Sequence, residues 1–396
     1  MSNSYDVTII GSGIVGLATA WQIRQQFPKI RMLILEKESA VAQHQSSHNS
    51  GVIHSGVYYK PGSAKAVNCV RGYQYLLDFC RAHDIPFDLC GKVIVATEEA
   101  EIPRLLNIYE RGVENGLTGL EILDTKSIKE KEPYVKGFKA IWVPQAGCIA
   151  YAAVARKLEN LLKSSGIHFR FGQRVKKIQE KLIVTEQDKF ISQLTICCAG
   201  LYADKLVRAS GMQADFRILP FRGEYYELKP THQFMVKGLV YPVPDPAFPF
   251  LGVHFTKTIN GGVEAGPNAV LAFRREGYRW RQFHASELLE TLSYSGFRKL
   301  AVRHWQQALL EQRRSLSKAQ FTKALQKLIP DVRVDHLREG GAGVRAQACK
   351  PNGDLIDDFL FIERPGLIHV ANAPSPAATA CLAVGETVTQ LAAKQL

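Results

Sequence analysis

Val7-Thr8-Ile9-Ile10-Gly11-Ser12-Gly13-Ile14-Val15-Gly16 runs from four strand-favouring residues straight into a glycine-rich turn. Leu17-Ala18-Thr19-Ala20-Trp21-Gln22-Ile23 continues with helical composition, and Met32-Leu33-Ile34-Leu35 is a second apolar strand that ends in Glu36. Strand, glycine turn, helix and strand within ~30 residues make a βαβ unit, the setting that gives G-x-G-x-x-G its meaning. Gly11 permits the tight turn, Gly13 lets backbone approach a pyrophosphate, and Gly16 lets helix and strand pack closely. The free N–H groups and partial positive charge at the helix start suit phosphates. Glu36 is placed to accept a hydrogen bond from a ribose 2′-OH and would repel a 2′-phosphate, which argues against NADP. The motif alone leaves FAD and NAD open.

Around this unit the chain is ordinary in bulk. Its 396 residues are 46% apolar and 22% charged, which excludes disordered, collagen-like and disulfide-scaffold classes and gives a prior of two to three domains. No stretch approaches the ~18 uncharged apolar residues of a membrane span. The first residues lack the basic region of a secretory signal. Eight cysteines without a C-x-x-C pair read as buried, reduced thiols, and hence a cytoplasmic protein. With no H-E-x-x-H and no spaced Cys/His cluster, no metal is expected.

Charge is less ordinary. The net charge is +13, and residues 274–327 hold twelve basic and four acidic residues, so eight of those charges sit in 54 residues. Such a patch suits an anionic partner. Its opening run, Arg274-Arg275-Glu276-Gly277-Tyr278-Arg279-Trp280-Arg281-Gln282-Phe283, interleaves arginines with aromatics. That mixture fits a peripheral membrane surface, here the cytoplasmic face of an inner membrane, or a solvated face that draws in an acidic substrate. Nucleic acid is disfavoured, because the motifs elsewhere point to redox chemistry.

Further along, residues 92–97, 167–171, 182–185, 194–198 and 367–371 read as strands, and 150–164 and 377–394 as helices. Strand signals dominate 216–266, with a proline-rich interruption at 241–246, and helical patterning takes over from 285 to 329. Neither a repeat nor a low-complexity linker appears, so interleaved domains are expected.

The segment after Glu36 narrows the cofactor. Gln45-Ser46-Ser47-His48-Asn49-Ser50-Gly51-Val52-Ile53-His54-Ser55-Gly56-Val57-Tyr58-Tyr59 mixes small hydrogen-bonding residues with apolar pairs, as befits a part-buried loop running along an extended nucleotide. Together with the glycine fingerprint and Glu36, this stretch resembles the D-amino-acid-oxidase-like FAD oxidoreductases. Within them it is similar to the L-2-hydroxyglutarate dehydrogenase/oxidase family. Further matches are Pro220-Phe221-Arg222-Gly223-Glu224-Tyr225, residues 248–254, Gly343-Val344-Arg345-Ala346-Gln347, Leu355-Ile356-Asp357-Asp358-Phe359 and Asn372-Ala373-Pro374-Ser375-Pro376-Ala377-Ala378. The resemblance spans residues 6 to about 390.

It implies an α/β and α+β chain: a Rossmann-like FAD-binding domain over 1–91, 147–215 and 334–396, interleaved with a substrate domain on a large mixed or antiparallel sheet over 92–146 and 216–333. It implies FAD, held by Gly11, Gly13, Gly16, Glu36, Ser46, Ser47, His48, Asn49, Val175, Ala199, Gly200, Ser375, Pro376, Ala377 and Ala378. Ser375 is read as capping the last helix, with Pro376 in its first turn.

Oxidising a 2-hydroxy acid needs a base for the hydroxyl proton, cations for the carboxylates and an acceptor for the hydrogen on C2. His54 is the leading base; covalent flavin attachment and a purely structural role are its rivals. His254 is the second histidine. Arg345 suits a carboxylate because its planar fork binds bidentately. Arg222 is a second anchor unless it pairs with Glu224. The expected reaction is L-2-hydroxyglutarate to 2-oxoglutarate, with electrons passed on to a quinone or oxygen. The rivals are another small acid, such as an amino acid or glycerol 3-phosphate, and a flavoprotein-fold protein that binds RNA or membrane.

Overall fold

The computed structural model describes residues 4–245 and 251–396; Pro246 of the proline-rich interruption, the start of the 248–254 run and residues 1–3 lie outside them. The βαβ unit forms as read: strand Ser4–Ile10, helix Ile14–Gln26 and strand Met32–Leu35, the two strands parallel. Lys189–Cys197 pairs parallel on the other side of Ser4–Ile10, and Leu367–Asn372 pairs parallel with Lys189–Cys197. This parallel core is buried on both faces, which is why its strands read as continuous apolar runs rather than alternating ones. Helix Ile14–Gln26 buries residues around most of its circumference, from Ile14 to Ile23. The last helix, Cys381–Ala393, lies against it so closely that a Cβ on Gly385 would stand 2.8 Å from the Ala18 carbonyl.

A second sheet of nine strands carries the other half of the molecule. Its longest pair is Arg217–Leu228 with Leu337–Cys349, antiparallel from Arg217↔Cys349 to Leu228↔Leu337. Residues 337–349 therefore belong to this sheet, which corrects the boundary at 334 that grouped them with the FAD-binding part. The register shifts between Glu224 and Tyr226, leaving Tyr225 out of the ladder. Lys92–Ala96 joins the sheet between Leu239–Pro242 and Lys139–Val143. A small third sheet pairs Val52–Ile53 and Phe87–Asp88 with Gly147–Ile149 and delivers His54 at the end of its strand.

The helical reading of 285–329 resolves into four short helices, Ala285–Ser293, Ser295–Arg303, Trp305–Leu316 and Lys318–Leu325. They expose Leu289, Val302, Trp305 and Leu316 at 60–76% of their surface, among arginines and lysines. The run before them behaves differently. Arg275 is buried in a bidentate pair with Asp204 (2.6 and 3.0 Å), and Tyr278 stacks on His48 with centroids 4.2 Å apart. Hence the arginine–aromatic run 274–283 is in part internal structure, and the exposed apolar surface begins at its end with Phe283 and continues beyond it. No helix among the described residues is long and apolar enough to cross a membrane.

Helices Ala64–Ala82 and Ile102–Glu114 complete the chain and had no counterpart in the reading of the sequence. The final helix begins at Cys381 rather than near 377, because residues 374–380 form turns closed by Ala377 N–H to Pro374 O (2.8 Å) and Ala380 N–H to Pro376 O (3.0 Å). Ser375 therefore does not cap it, and Pro376 is not in its first turn.

Candidate active site

A cavity of about 1000 Å³ runs between the two large sheets, from the glycine turn to the third sheet. That is the upper end of the size range of cofactor and ligand pockets. At the glycine turn, a Cβ on Gly11 would stand 2.3 Å from the Cys198 carbonyl oxygen, and one on Gly16 2.1 Å from the Gly11 oxygen. Gly13 differs: a Cβ there would meet only Ser46 Oγ, at 3.4 Å. The space in front of Gly13 is thus open cavity that a side chain would fill, as a pyrophosphate cradle requires. Ser46 Oγ accepts the first helical N–H, from Ile14 (2.9 Å), and fixes the loop over this helix start.

Glu36 is buried and lines the same end. Its Oε2 accepts from Ser12 N–H and Ser12 Oγ–H, both at 2.8 Å, and Oε1 accepts from Glu38 N–H at 3.0 Å. A carboxylate has about four acceptor positions, so capacity remains for a ribose hydroxyl. Val175, Ala199 and Gly200 line the wall beside it. The loop onward is held by Asn49, whose Nδ2 donates to the Gln45 and Ser46 carbonyls (2.9 and 3.0 Å) and whose Oδ1 accepts from Gly51 N–H (2.9 Å). His48 and Asn49 face the cavity. Ser47 does not: its hydroxyl donates to the Ala42 carbonyl (2.6 Å), so it shapes the loop and leaves the set of cavity residues. At the far end, Ser375, Pro376, Ala377 and Ala378 line the wall, their small side chains bringing backbone close to the open space.

An open phosphate cradle, a buried acceptor twenty residues on and one continuous cavity of this size together fit FAD. Two groups beside Glu36 brace that end. Lys37 Nζ pairs with Glu276 (2.6 Å) and with Glu38, and His44 Nε2 reaches Glu276 (2.9 Å) and Glu38 (3.0 Å). Burial opposes the charge on Glu276, but His44 and Lys37 overcome it and hold the carboxyl at about 2. His44 in turn is raised, its acidic neighbours outweighing its burial. Glu38, His44 and Glu276 have the ligand types of a metal site, but the Lys37 ammonium already pairs with both carboxylates.

The third-sheet end gathers the reactive side chains. His54 has its backbone N–H on Thr379 Oγ1 (3.1 Å) and its Nε2 3.3 Å from Ser375 Oγ. His254, on strand His254–Lys257, is buried, with Nδ1 donating to the Gly252 carbonyl (2.8 Å). That bond fixes the neutral tautomer in which Nε2 is the acceptor. Burial, helped by nearby cationic groups, pushes both histidines down to about 3. Both are therefore neutral at pH 7. Arg345 lines the same space, and its charge reaches Tyr225, Tyr241 and His254.

Arg222 is the correction among the expected catalytic residues. In the ladder, Arg345 sits opposite Phe221, and Arg222 sits opposite Val344. Side chains alternate across a strand, so the two arginines lie on opposite faces of the sheet. Arg222 is fully buried away from the cavity, with Nε on Glu224 Oε1 (3.0 Å) and its guanidinium 4.5 Å from the Trp280 ring centroid. Tyr225 and Lys65 line the cavity without having been singled out, Lys65 on Asp357 at 2.6 Å.

The DAO family model, described as FAD dependent oxidoreductase, matches residues 6–391. An L-2-hydroxyglutarate dehydrogenase from Indibacter alkaliphilus is 51% identical over 99% of both chains. The enzyme of that name from Escherichia coli strain K12 is 45% identical over 96% of this chain and 91% of its own. The human mitochondrial one is 42% identical over 97% and 87%. Among solved structures, L-alpha-glycerophosphate oxidase from Mycoplasma pneumoniae with FAD bound superposes with a TM-score of 0.81 at 22% identity, covering 98% of this chain and 94% of that one. Glycine oxidase from Geobacillus kaustophilus gives 0.73 at 18% identity, covering 99% and 95%. With its dinucleotide fingerprint, its cavity and these relatives taken together, the chain belongs to the DAO family of FAD-dependent oxidoreductases.

Proposed function

We propose that this protein oxidises L-2-hydroxyglutarate to 2-oxoglutarate. The observation that carries the reading is the meeting of two neutral histidines and Arg345 at one end of the FAD cavity, in a chain 42–51% identical to L-2-hydroxyglutarate dehydrogenases. Bound FAD supplies the two-electron acceptor for the hydrogen that leaves C2. The chain supplies the rest. Arg345 holds the carboxylate next to C2 and so turns the single C2 hydrogen toward the acceptor. His54 takes the hydroxyl proton on a ring nitrogen, its loop pinned through Thr379. Neutrality is what the step asks of it, and burial beside Lys92 and His254 enforces that. His254 stands as the alternative acceptor.

The test is anaerobic titration of the purified holoprotein followed at the flavin absorbance. L-2-hydroxyglutarate bleaches it; the D isomer, glycine and glycerol 3-phosphate do not. Faster bleaching by glycine or glycerol 3-phosphate would transfer the assignment to another small acid.

The exposed apolar residues of 285–316 among basic ones support a second element of the reading, contact with an anionic membrane surface, from which a quinone could take the electrons. Flotation with phosphatidylglycerol vesicles but not phosphatidylcholine vesicles is the expected result, lost when Trp305 and Leu316 are both changed to Ser. Equal flotation of that double variant removes this surface from the reading.

A further inference from the structure

Lys92 is among the largest fully buried side chains of the protein, 1% exposed, at the start of strand Lys92–Ala96. No carboxylate lies within ion-pair distance of its ammonium among the described residues. Its ammonium faces two aromatic rings, with Nζ 4.1 Å from the Tyr241 ring centroid and 5.4 Å from that of Tyr58, and its charge also reaches Cys69, Cys90, His54 and His254. A buried cation without a counter-charge is expensive, and burial accordingly pulls this lysine down to about 8.

The position of Tyr241 gives that cost a purpose. Its ring lines the cavity and stacks on His254 with centroids 3.9 Å apart and planes 25° apart. Two groups that close cannot share a ring face, so Tyr241 is sandwiched between His254 and the Lys92 ammonium. Around the reacting end of the cavity, Lys65 is already neutralised by Asp357, and one guanidinium, that of Arg345, answers one carboxylate. A dicarboxylate brings a second negative charge. The buried cation that no protein carboxylate answers stands directly behind the tyrosine at that end.

We propose that Lys92 is the counter-charge that makes this site select two-carboxylate substrates, its ammonium acting through the Tyr241 ring on the substrate's distal carboxylate. Lys92 is then a positioning residue, because it acts through Tyr241. The Tyr241 hydroxyl lies 3.3 Å from Thr256 Oγ1, a hydroxyl that can accept from it; a cation against the ring face polarises the phenol toward donation, and the field of the ammonium reaches further than its contacts in this poorly solvated interior. The inference rests on the substrate reading above and adds the residue that sets substrate class.

The experiment compares L-2-hydroxyglutarate with L-2-hydroxypentanoate, which has the same five-carbon chain without the distal carboxylate. Wild-type holoprotein prefers the diacid. In Lys92→Met, which keeps length and volume, the ratio of kcat/KM for the diacid to that for the monoacid falls at least 30-fold; whatever the loss of Lys92 does to His54 is common to both acids and cancels in the ratio. Glutarate binding, read as a shift of the flavin spectrum, weakens in parallel, and pentanoate binding does not. The melting temperature of Lys92→Met is equal to or above that of wild type, because an uncompensated buried charge is gone. Should Lys92→Met fail to retain flavin, Lys92→Gln answers the same question.

An unchanged ratio of the two kcat/KM values overturns the role of Lys92 and leaves the substrate reading standing. So does a lowered melting temperature with equal loss toward both acids, which marks a structural lysine. A wild-type protein that does not oxidise L-2-hydroxyglutarate overturns both.

Discussion

His54→Asn holoprotein is expected to bind FAD normally and to be reduced by L-2-hydroxyglutarate 10²–10⁴-fold more slowly than wild type, about the usual contribution of a general base. Asparagine keeps a polar head near Ser375 but cannot accept a proton, so the loss isolates basicity from packing. It should appear in kcat and kcat/KM together, because a base acts in the transition state and contributes little to holding substrate. The pH profile adds an independent check. With the histidine held at about 3, kcat/KM of wild type shows no histidine limb between pH 5 and 8. A limb near 6.5 that vanishes in His54→Asn would mean that burial and Lys92 do not hold the ring neutral. Colour that stays with acid-precipitated wild-type protein, and not with the variant, would instead reveal covalent attachment. Stopped-flow reduction normalised to bound flavin decides the main question: wild-type rates in His54→Asn pass the role to His254.

Arg345→Met is expected to lower kcat/KM for L-2-hydroxyglutarate by roughly 30-fold to several thousand-fold, the range of about 2–5 kcal/mol for truncating one partner of a buried charged pair. Most of the loss should be in KM, because the carboxylate next to C2 is held in ground and transition states alike. The strand pairing of residues 337–349 with Arg217–Leu228 is made by backbone, so fold and flavin spectrum survive. This variant should damage monoacid and diacid equally, since both carry that carboxylate; Lys92→Met should change the ratio between them. A change below threefold, less than 1 kcal/mol, removes Arg345 as the anchor.

What the sequence made legible was local. The βαβ unit could be read because two parallel strands buried on both faces, a glycine turn and an acid at the second strand's end fall within 36 residues. The pairing of 337–349 with 217–228 could not: the partners are more than a hundred residues apart, and Gly340-Gly341-Ala342-Gly343 reads as loop. The two arginines show the same limit. Arg222 next to Gly223 and Arg345 two residues from Gly343 both read as arginines in glycine-containing strands, and only the register places one in the cavity and the other under Trp280. Ser375-Pro376 has the composition of a helix start, but tertiary packing bends 374–380 into turns and delays the helix to Cys381. Lys92 reads as a polar residue opening a strand; only burial and the two tyrosines reveal it as a charge kept from water.

The ion pairs of Lys37, His44, Glu38 and Glu276 bear on how long the cofactor stays. They tie the loop that follows Glu36 to the segment that precedes Tyr278 at the Glu36 end of the cavity. This tie has an asymmetric response to pH. Glu276 remains charged down to about 2, so mild acid does not unfasten it. His44 is raised above its ordinary value, so its share is complete below about 6.5 and fades as pH climbs through the raised value. Lys37 then holds Glu276 alone. Flavin is therefore expected to be lost faster on dialysis in alkaline than in mildly acidic buffer, followed as free flavin in the dialysate; equal loss at both would detach the ion pairs from cofactor retention.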